Sequence, residues 1–156
     1  MRIGLTGKKG FIGFHLSNSL KLHDDIDLID FDRNFFIDPD KLDNFFYNTD
    51  IIVHLAGVNR DNDESKILEI NRKLADSLAE SAARTNFKGK LIYISSIQEE
   101  TGSVYGESKL LARKILTEAS TNHGFNFTAL IVPNVFGPFC KPNYNSFIAT
   151  FCDNLI

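Results

Sequence analysis

The chain has 156 residues, of which 43% are hydrophobic and 24% are charged, and its formal net charge is −3. These values are typical of one soluble globular domain and exclude a disordered or collagen-like chain. The slight negative charge, without a block of Lys and Arg, also argues against nucleic acid as a partner.

The first residues and the cysteines bear on cellular location and on metal binding. "RIGLTG" follows Met1 without the sections of a signal peptide, and the apolar runs are too short to span a bilayer. We therefore expect a cytoplasmic protein with no membrane partner. The two cysteines and the four scattered histidines form no ligand pattern, so we expect no metal.

Five short apolar runs predict buried strands. They lie at 2–6, 26–30, 50–57, 90–96 and 127–133. Their hydrophobicity is nearly continuous instead of alternating, which is what parallel strands covered on both faces require.

Segments with helical periodicity separate several of these strands. Apolar residues return to one face of segment 63–84, and segment 106–124 ends at Gly124, a common helix terminator. Pro39 predicts the start of a short helix in the less clear segment 31–49. This alternation predicts an α/β fold with a Rossmann-like, doubly wound parallel sheet, with about five strands in the order 3-2-1-4-5.

A glycine-rich turn joins the first strand to the next helix. In "TGKKGFIG", Gly7, Gly10 and Gly13 are three residues apart. Such glycines allow a tight turn, a close approach of pyrophosphate and close helix packing, and the helix N-terminus adds free amides. We predict a cofactor site formed by these glycines with Phe11 and Ile12, with an ordinary strand-to-helix turn as the alternative.

The ends of the second and third strands supply further cofactor candidates. Asp32 suits the ribose 2′-hydroxyl of NAD, whereas Arg33 suits the 2′-phosphate of NADP, and two solvated loop charges are the alternative. The third strand ends in "HLAG", where small residues would let the backbone lie close to the adenosine half of the ligand. The candidates there are Leu55, Ala56 and Gly57.

Tyr105 and Lys109, in "YGESK", are one helical turn apart and share a helix face. The Lys109 ammonium, together with a bound nicotinamide, would favour the phenolate of Tyr105 and lower its pKa. Ser96, at the end of the fourth strand, could hydrogen-bond the same substrate oxygen. These three residues predict a proton-transfer and hydride-transfer centre, although a Tyr and a Lys at this spacing also occur together by chance.

Four motifs in this order, "TGKKGFIG", "HLAG", "YISS" and "YGESK", resemble the extended short-chain dehydrogenase/reductase superfamily, also called the NAD-dependent epimerase/dehydratase family. The resemblance implies a Rossmann fold with Ser96, Tyr105 and Lys109 as the catalytic triad. "HLAGVNR", "SSIQ" and "CKPNYNSFIATFC" are similar to one subgroup, the reductase domains of bifunctional capsular polysaccharide enzymes (CapF type). These use NADPH to reduce the 4-keto group of a UDP-2-acetamido-2,6-dideoxy-hexulose.

This resemblance implies NADP(H) as the preferred cofactor, with NAD(H) as the alternative, and a UDP-sugar as the substrate. Family members commonly form homodimers through two long helices, here near 64–84 and 106–122. Asn71 falls where the family often has an asparagine near the proton path, and a helix-surface residue is an equally good interpretation. Substrate contacts are expected after the fifth strand, at Asn134, Lys141, Asn143 and Asn145.

Family members continue into a C-terminal substrate region, and the bifunctional enzymes add a cupin domain. We therefore expect residues 1–156 to be an NAD(P)-binding Rossmann domain that is incomplete at its C-terminus and lacks both. Two other functions stay open: an NAD-dependent nucleotide-sugar epimerase or dehydratase, and a truncated, inactive dinucleotide-binding module. "SSIQ" lacks the Asp–Glu pair that a dehydratase normally has there, and a purely structural domain would leave the glycine spacing unexplained.

Overall fold

Alternating strands and helices build an α/β fold in the computed structural model, which describes residues 1–144 and 146–155. The strands are β1 (Arg2–Thr6), β2 (Asp27–Ile29), β3 (Ile51–His54), β4 (Lys90–Ser96) and β5 (Asn126–Val132). The α-helices are α1 (Phe11–Leu20), α2 (Pro39–Tyr47), α3 (Glu64–Arg84), α4 (Val104–His123) and α5 (Phe147–Asp153). Short 3₁₀ helices cover Arg33–Ile37 and Ile97–Glu100.

All strand pairs in the described sheet are parallel, and the strand order is β2-β1-β3-β4-β5. The parallel, Rossmann-like class is confirmed, but the predicted order 3-2-1-4-5 is wrong. The residues between β2 and β3 form a 3₁₀ helix and α2, so β3 crosses over and pairs with β1. Burial explains the placement, because Ile52 and Val53 are covered on opposite faces of the sheet, whereas the short β2 is partly exposed and suits an edge.

The element bounds follow local sequence signals. β1 and β4 have the predicted limits, and β3 ends at His54, so the rest of "HLAG" forms the loop that follows. Pro39 begins α2 as predicted, with the Asp38 carboxylate accepting a hydrogen bond from the Lys41 amide. Gly124 ends α4 in the left-handed conformation, with φ of 72°.

Helices cover both faces of the sheet. Leu16 and Leu20 of α1 pack against one face, where Ile3, Leu5 and Val53 are buried. Helices α2, α3 and α4 cover the other face, on a larger core rich in phenylalanine and leucine. This arrangement leaves the carboxyl ends of the parallel strands along one edge, where the loops that carry the predicted site residues meet. Among the described helices, none is long and apolar enough to cross a membrane.

Candidate active site

A cleft of about 1210 Å³ opens along the carboxyl ends of the strands. The glycine turn, the loop after β3, the end of β4, the start of α4 and the segment after β5 all contribute to its walls. Most of the predicted site residues line it: Gly7, Gly10, Phe11, Ile12, Gly13, Leu55, Gly57, Ser96, Tyr105, Lys109, Asn134, Lys141 and Asn143. The fold therefore brings residues from five separate segments to one ligand-sized site.

Three predicted residues lie outside the walls that the described residues form, namely Asp32, Arg33 and Ala56. The Asp32 carboxylate accepts a hydrogen bond of 2.8 Å from the Asn34 amide and so caps its own 3₁₀ helix. The Ala56 amide donates to Thr6 Oγ1 over 3.3 Å. Asn145 lies outside the described residues.

The glycine turn has the close packing that a pyrophosphate cradle requires. Gly7 has φ of +77°, and a Cβ there would lie 2.6 Å from the Ala56 nitrogen. A Cβ on Gly13 would lie 2.3 Å from the Gly7 carbonyl oxygen. Helix α1 starts directly after Gly10, so its first amides have no partner within the helix, as is typical of helix N-termini that bind anions. These backbone groups fit the pyrophosphate of a dinucleotide.

Other residues that line the cleft were missed at the level of sequence. Lys9 belongs to the glycine turn, and Asn59, Arg60 and Tyr144 form a second wall. The Tyr144 hydroxyl donates to Asn59 Oδ1 over 3.2 Å, and the Arg60 guanidinium lies 5.4 Å from the centre of the Tyr144 ring. These contacts link the loop after β3 to the segment after β5. The sequence signal for this second wall was the polar pair Asn59 and Arg60, which ends "HLAGVNR" in the loop after a buried strand.

Ser96, Tyr105 and Lys109 come together because β4 leads almost directly into α4. Ser96 is the last residue of β4, and its Oγ accepts a hydrogen bond from the Gln98 amide over 3.2 Å. Tyr105 lies in the first turn of α4 and Lys109 in the next, with Lys109 only 6% exposed. A Cβ on Gly106 would lie 1.9 Å from the Gln98 carbonyl oxygen, which explains the glycine between them.

Asn71 of α3 is buried, so its interpretation as a helix-surface residue is wrong. Its amide nitrogen donates to the Val58 carbonyl and to Ser108 Oγ, each over 2.8 Å. Its oxygen accepts a hydrogen bond of 2.8 Å from the Val58 amide. Ser108 in turn donates to the Tyr105 carbonyl over 2.7 Å. Asn71 thus fixes the loop after β3 against the helix that carries Tyr105.

Burial controls the charge states of the two titratable residues in the triad. It raises the pKa of Tyr105, so the lowered pKa expected from the sequence does not arise from the chain alone. Burial also lowers the pKa of Lys109 to about 8, although the negative charge of Glu99 opposes that shift. Tyr105 is therefore a protonated phenol at neutral pH, next to a lysine that is still largely charged.

Comparisons with known proteins agree with this geometry. The chain is 37% identical over 157 residues to a Pseudomonas aeruginosa protein named UDP-2-acetamido-2,6-beta-L-arabino-hexul-4-ose reductase, covering 100% of this chain and 41% of that protein. It is 35% identical to the capsular polysaccharide assembling protein CapF of Staphylococcus aureus, with a TM-score of 0.75 over 99% of this chain and 40% of that one. The chain thus spans about two fifths of the length of these two relatives.

A third relative was solved with a cofactor. RMD from Pseudomonas aeruginosa, in complex with NADPH, is 25% identical with a TM-score of 0.79, over 92% of this chain and 57% of that one. The family model described as "NAD dependent epimerase/dehydratase family" matches residues 3–156. With its parallel sheet, its glycine turn and its cleft, the chain belongs to the NAD-dependent epimerase/dehydratase family.

Proposed function

We propose that the chain is the Rossmann domain of an NADPH-dependent reductase that acts on the 4-keto group of a UDP-2-acetamido-2,6-dideoxy-hexulose. The observation that carries this proposal is the meeting of Ser96, Tyr105 and Lys109 in one cleft with the glycine turn. The similarity to a protein named as a UDP-hexulose reductase supports the substrate class. The chain would supply the cofactor half of the site and its proton-transfer groups.

The cofactor would lie along the carboxyl edge of the sheet. The glycine turn and the first amides of α1 would bind its pyrophosphate, and Lys109 would hydrogen-bond the nicotinamide ribose. When bound, NADPH supplies the hydride that reduces the carbonyl carbon. A preference for NADPH over NADH is supported by the relative solved with NADPH and by two cations. Lys9 lines the cleft, and Arg33 follows Asp32 after β2, outside the described walls of the cleft.

Three side chains would act on the carbonyl oxygen of the substrate. The raised pKa of Tyr105 keeps its phenol protonated, which suits a proton donor in a reduction. Ser96 Oγ accepts from the Gln98 amide, so its own hydrogen remains available to orient the carbonyl. The positive charge of Lys109, one turn away, would stabilise Tyr105 as it loses its proton.

The sugar nucleotide would contact the segment after β5. Asn134, Lys141 and Asn143 line the cleft there. A dehydratase is less compatible with the site, because it needs a free acid and base beside Ser96. The following acidic residue, Glu99, is already bound by Arg113 and Ser95.

The direct test is turnover of the UDP-4-keto sugar with NADPH, followed by the loss of nicotinamide absorbance. We expect Tyr105→Phe to lower the rate by roughly 100-fold or more, since proton transfer contributes about that much. NADPH binding should survive in this variant, because Tyr105→Phe keeps the ring. NADPH binding without any turnover by the native chain would instead favour the inactive dinucleotide-binding module.

A further inference from the structure

Glu99, close to Ser96 in the 3₁₀ helix that follows β4, is a buried carboxylate. Its side chain is only 5% exposed. Arg113 donates to both of its oxygens, over 2.9 Å from Nε to Oε2, 3.0 Å from Nε to Oε1 and 2.7 Å from Nη2 to Oε2. Ser95 Oγ donates a further short hydrogen bond to the same carboxylate. Such a forked pair has a defined geometry that a single surface contact lacks.

The two partners belong to the two elements that carry the candidate triad. Glu99 lies in the 3₁₀ helix Ile97–Glu100, which begins directly after Ser96. Arg113 lies one turn beyond Lys109 on α4, so the two share a helix face with Tyr105. The pair therefore joins the strand end that carries Ser96 to the helix that carries Tyr105 and Lys109.

We propose that Glu99 and Arg113 are positioning residues, which lock the end of β4 against α4, and that Glu99 also supplies the counter-charge for the buried Lys109 ammonium. The proposal rests on the catalytic role proposed above for Lys109. A loosened pair would let Ser96 and Tyr105 move relative to each other. A missing carboxylate would leave Lys109 without a nearby negative charge inside a buried site.

Among the described groups around Lys109, Glu99 supplies the negative charge that opposes the effect of burial on the pKa of this lysine. His54 of β3 is buried and neutral, since burial and the Lys109 charge lower its pKa to about 3. Tyr93 of β4 and Tyr105 of α4 stay uncharged because burial raises the pKa of each. Burial opposes ionisation of Glu99 as well, but the hydrogen bonds from Arg113 and Ser95 outweigh it and hold its pKa below the ordinary value.

The test is an NMR titration of the Lys109 side chain in the full chain, with selectively labelled lysine, for the native protein and Glu99→Gln. The counter-charge role predicts that the pKa of Lys109 falls by roughly one pH unit in Glu99→Gln. Mere loosening would admit water and raise that pKa towards its ordinary value, so an unchanged or raised pKa would overturn the counter-charge role. This measurement needs neither cofactor nor turnover, so its outcome is separate from that of the proposed function.

A second variant tests the lock. Arg113→Lys keeps the charge but loses the fork, so we expect amide hydrogen exchange in residues 95–99 to become roughly tenfold faster, while the pKa of Lys109 does not fall. Unchanged exchange would overturn the positioning role. If Glu99→Gln does not fold, Glu99→Asp replaces it, because its shorter carboxylate would lower the pKa of Lys109 by a smaller amount. If the pKa of Lys109 does not fall in Glu99→Asp, the counter-charge role of Glu99 is again contradicted.

Discussion

The Lys109 ammonium lies 4.4 Å from the centre of the Tyr93 ring. Tyr93 is 1% exposed, and the His54 ring stacks on it with 5.7 Å between the ring centres. An ammonium over an aromatic face is attracted by the electron-rich face of the uncharged ring, most strongly where water is excluded. The ring therefore holds the end of Lys109 at the floor of the cleft without using a hydrogen-bond donor that the cofactor ribose would need.

Replacing this ring should weaken cofactor binding. We expect Tyr93→Leu to raise the dissociation constant for NADPH by roughly 5-fold to 30-fold, because a desolvated contact of this kind contributes about 1–2 kcal/mol. Tyr93→Phe keeps the aromatic face and should bind within about twofold of the native chain. Fluorescence titration of the two variants compares them, and equal binding by both would show that the ring is not needed.

Lys109 should lower the free energy of unfolding. Burial lowers its pKa from 10.5 to about 8, which corresponds to roughly 3 kcal/mol of disfavoured charge. Between these two pH values the unfolded chain binds the extra proton, so the free energy of unfolding rises with pH. We expect Lys109→Met to be about 1–3 kcal/mol more stable near neutral pH while losing NADPH binding.

Thermal melts near pH 7 and near pH 10 check this trade-off. The gain of Lys109→Met over the native chain should shrink at the higher pH, because the native lysine is then largely neutral. A variant that is less stable than the native chain at both pH values would contradict this account of Lys109.

His54 should make the fold sensitive to acid. Its Nδ1 lies 2.6 Å from Thr6 Oγ1, and burial, followed by the charge of Lys109, lowers its pKa from 6.5 to about 3. Between these values the unfolded chain binds the proton, so stability should fall as the pH falls, by up to about 1.4 kcal/mol per pH unit. Denaturant unfolding between about pH 5 and pH 6.5, above the range where carboxylates titrate, should show that slope in the native chain and lose most of it in His54→Phe. The exposed His123→Gln is the control, and an equal slope in all three proteins would rule out His54 as the cause.

Two of the glycines should respond differently to the same substitution. A Cβ on Gly10 would meet only the Gly7 carbonyl oxygen, at 3.3 Å, so Gly10→Ala should fold. Its methyl group would lie where the pyrophosphate approaches, and we expect at least roughly tenfold weaker NADPH binding. Gly13→Ala places its Cβ 2.3 Å from the same oxygen and should lower the melting temperature as well. A Gly10→Ala chain that binds NADPH normally would argue against the cradle.

Local patterns were sufficient to predict most elements of the fold. The continuous apolar runs located the strands, and Pro39 and Gly124 marked where a helix begins and where one ends. The strand order was not predictable in the same way, because a buried run such as 51–54 has the same pattern beside β1 as beside β2. Only the crossover through α2 decides between these neighbours.

The candidate site, like the fold, was predictable from the sequence only in part. The triad was found because Ser96, Tyr105 and Lys109 belong to motifs with a fixed order along the chain. Their charge states could not be predicted from these motifs. Burial raises the pKa of Tyr105, and burial depends on the whole fold. No local pattern marked Glu99, because its partner Arg113 lies on another element, 14 residues further along the chain.

The central claim, that this cleft binds a nicotinamide dinucleotide for a reductase, is tested most directly by titrating the full chain with NADPH and with NADH. Nicotinamide fluorescence would be followed for the native protein and for Arg33→Ala. The account predicts tighter binding of NADPH than of NADH, and loss of that preference in Arg33→Ala while NADH binding persists. Binding of neither dinucleotide by the folded native chain would contradict it.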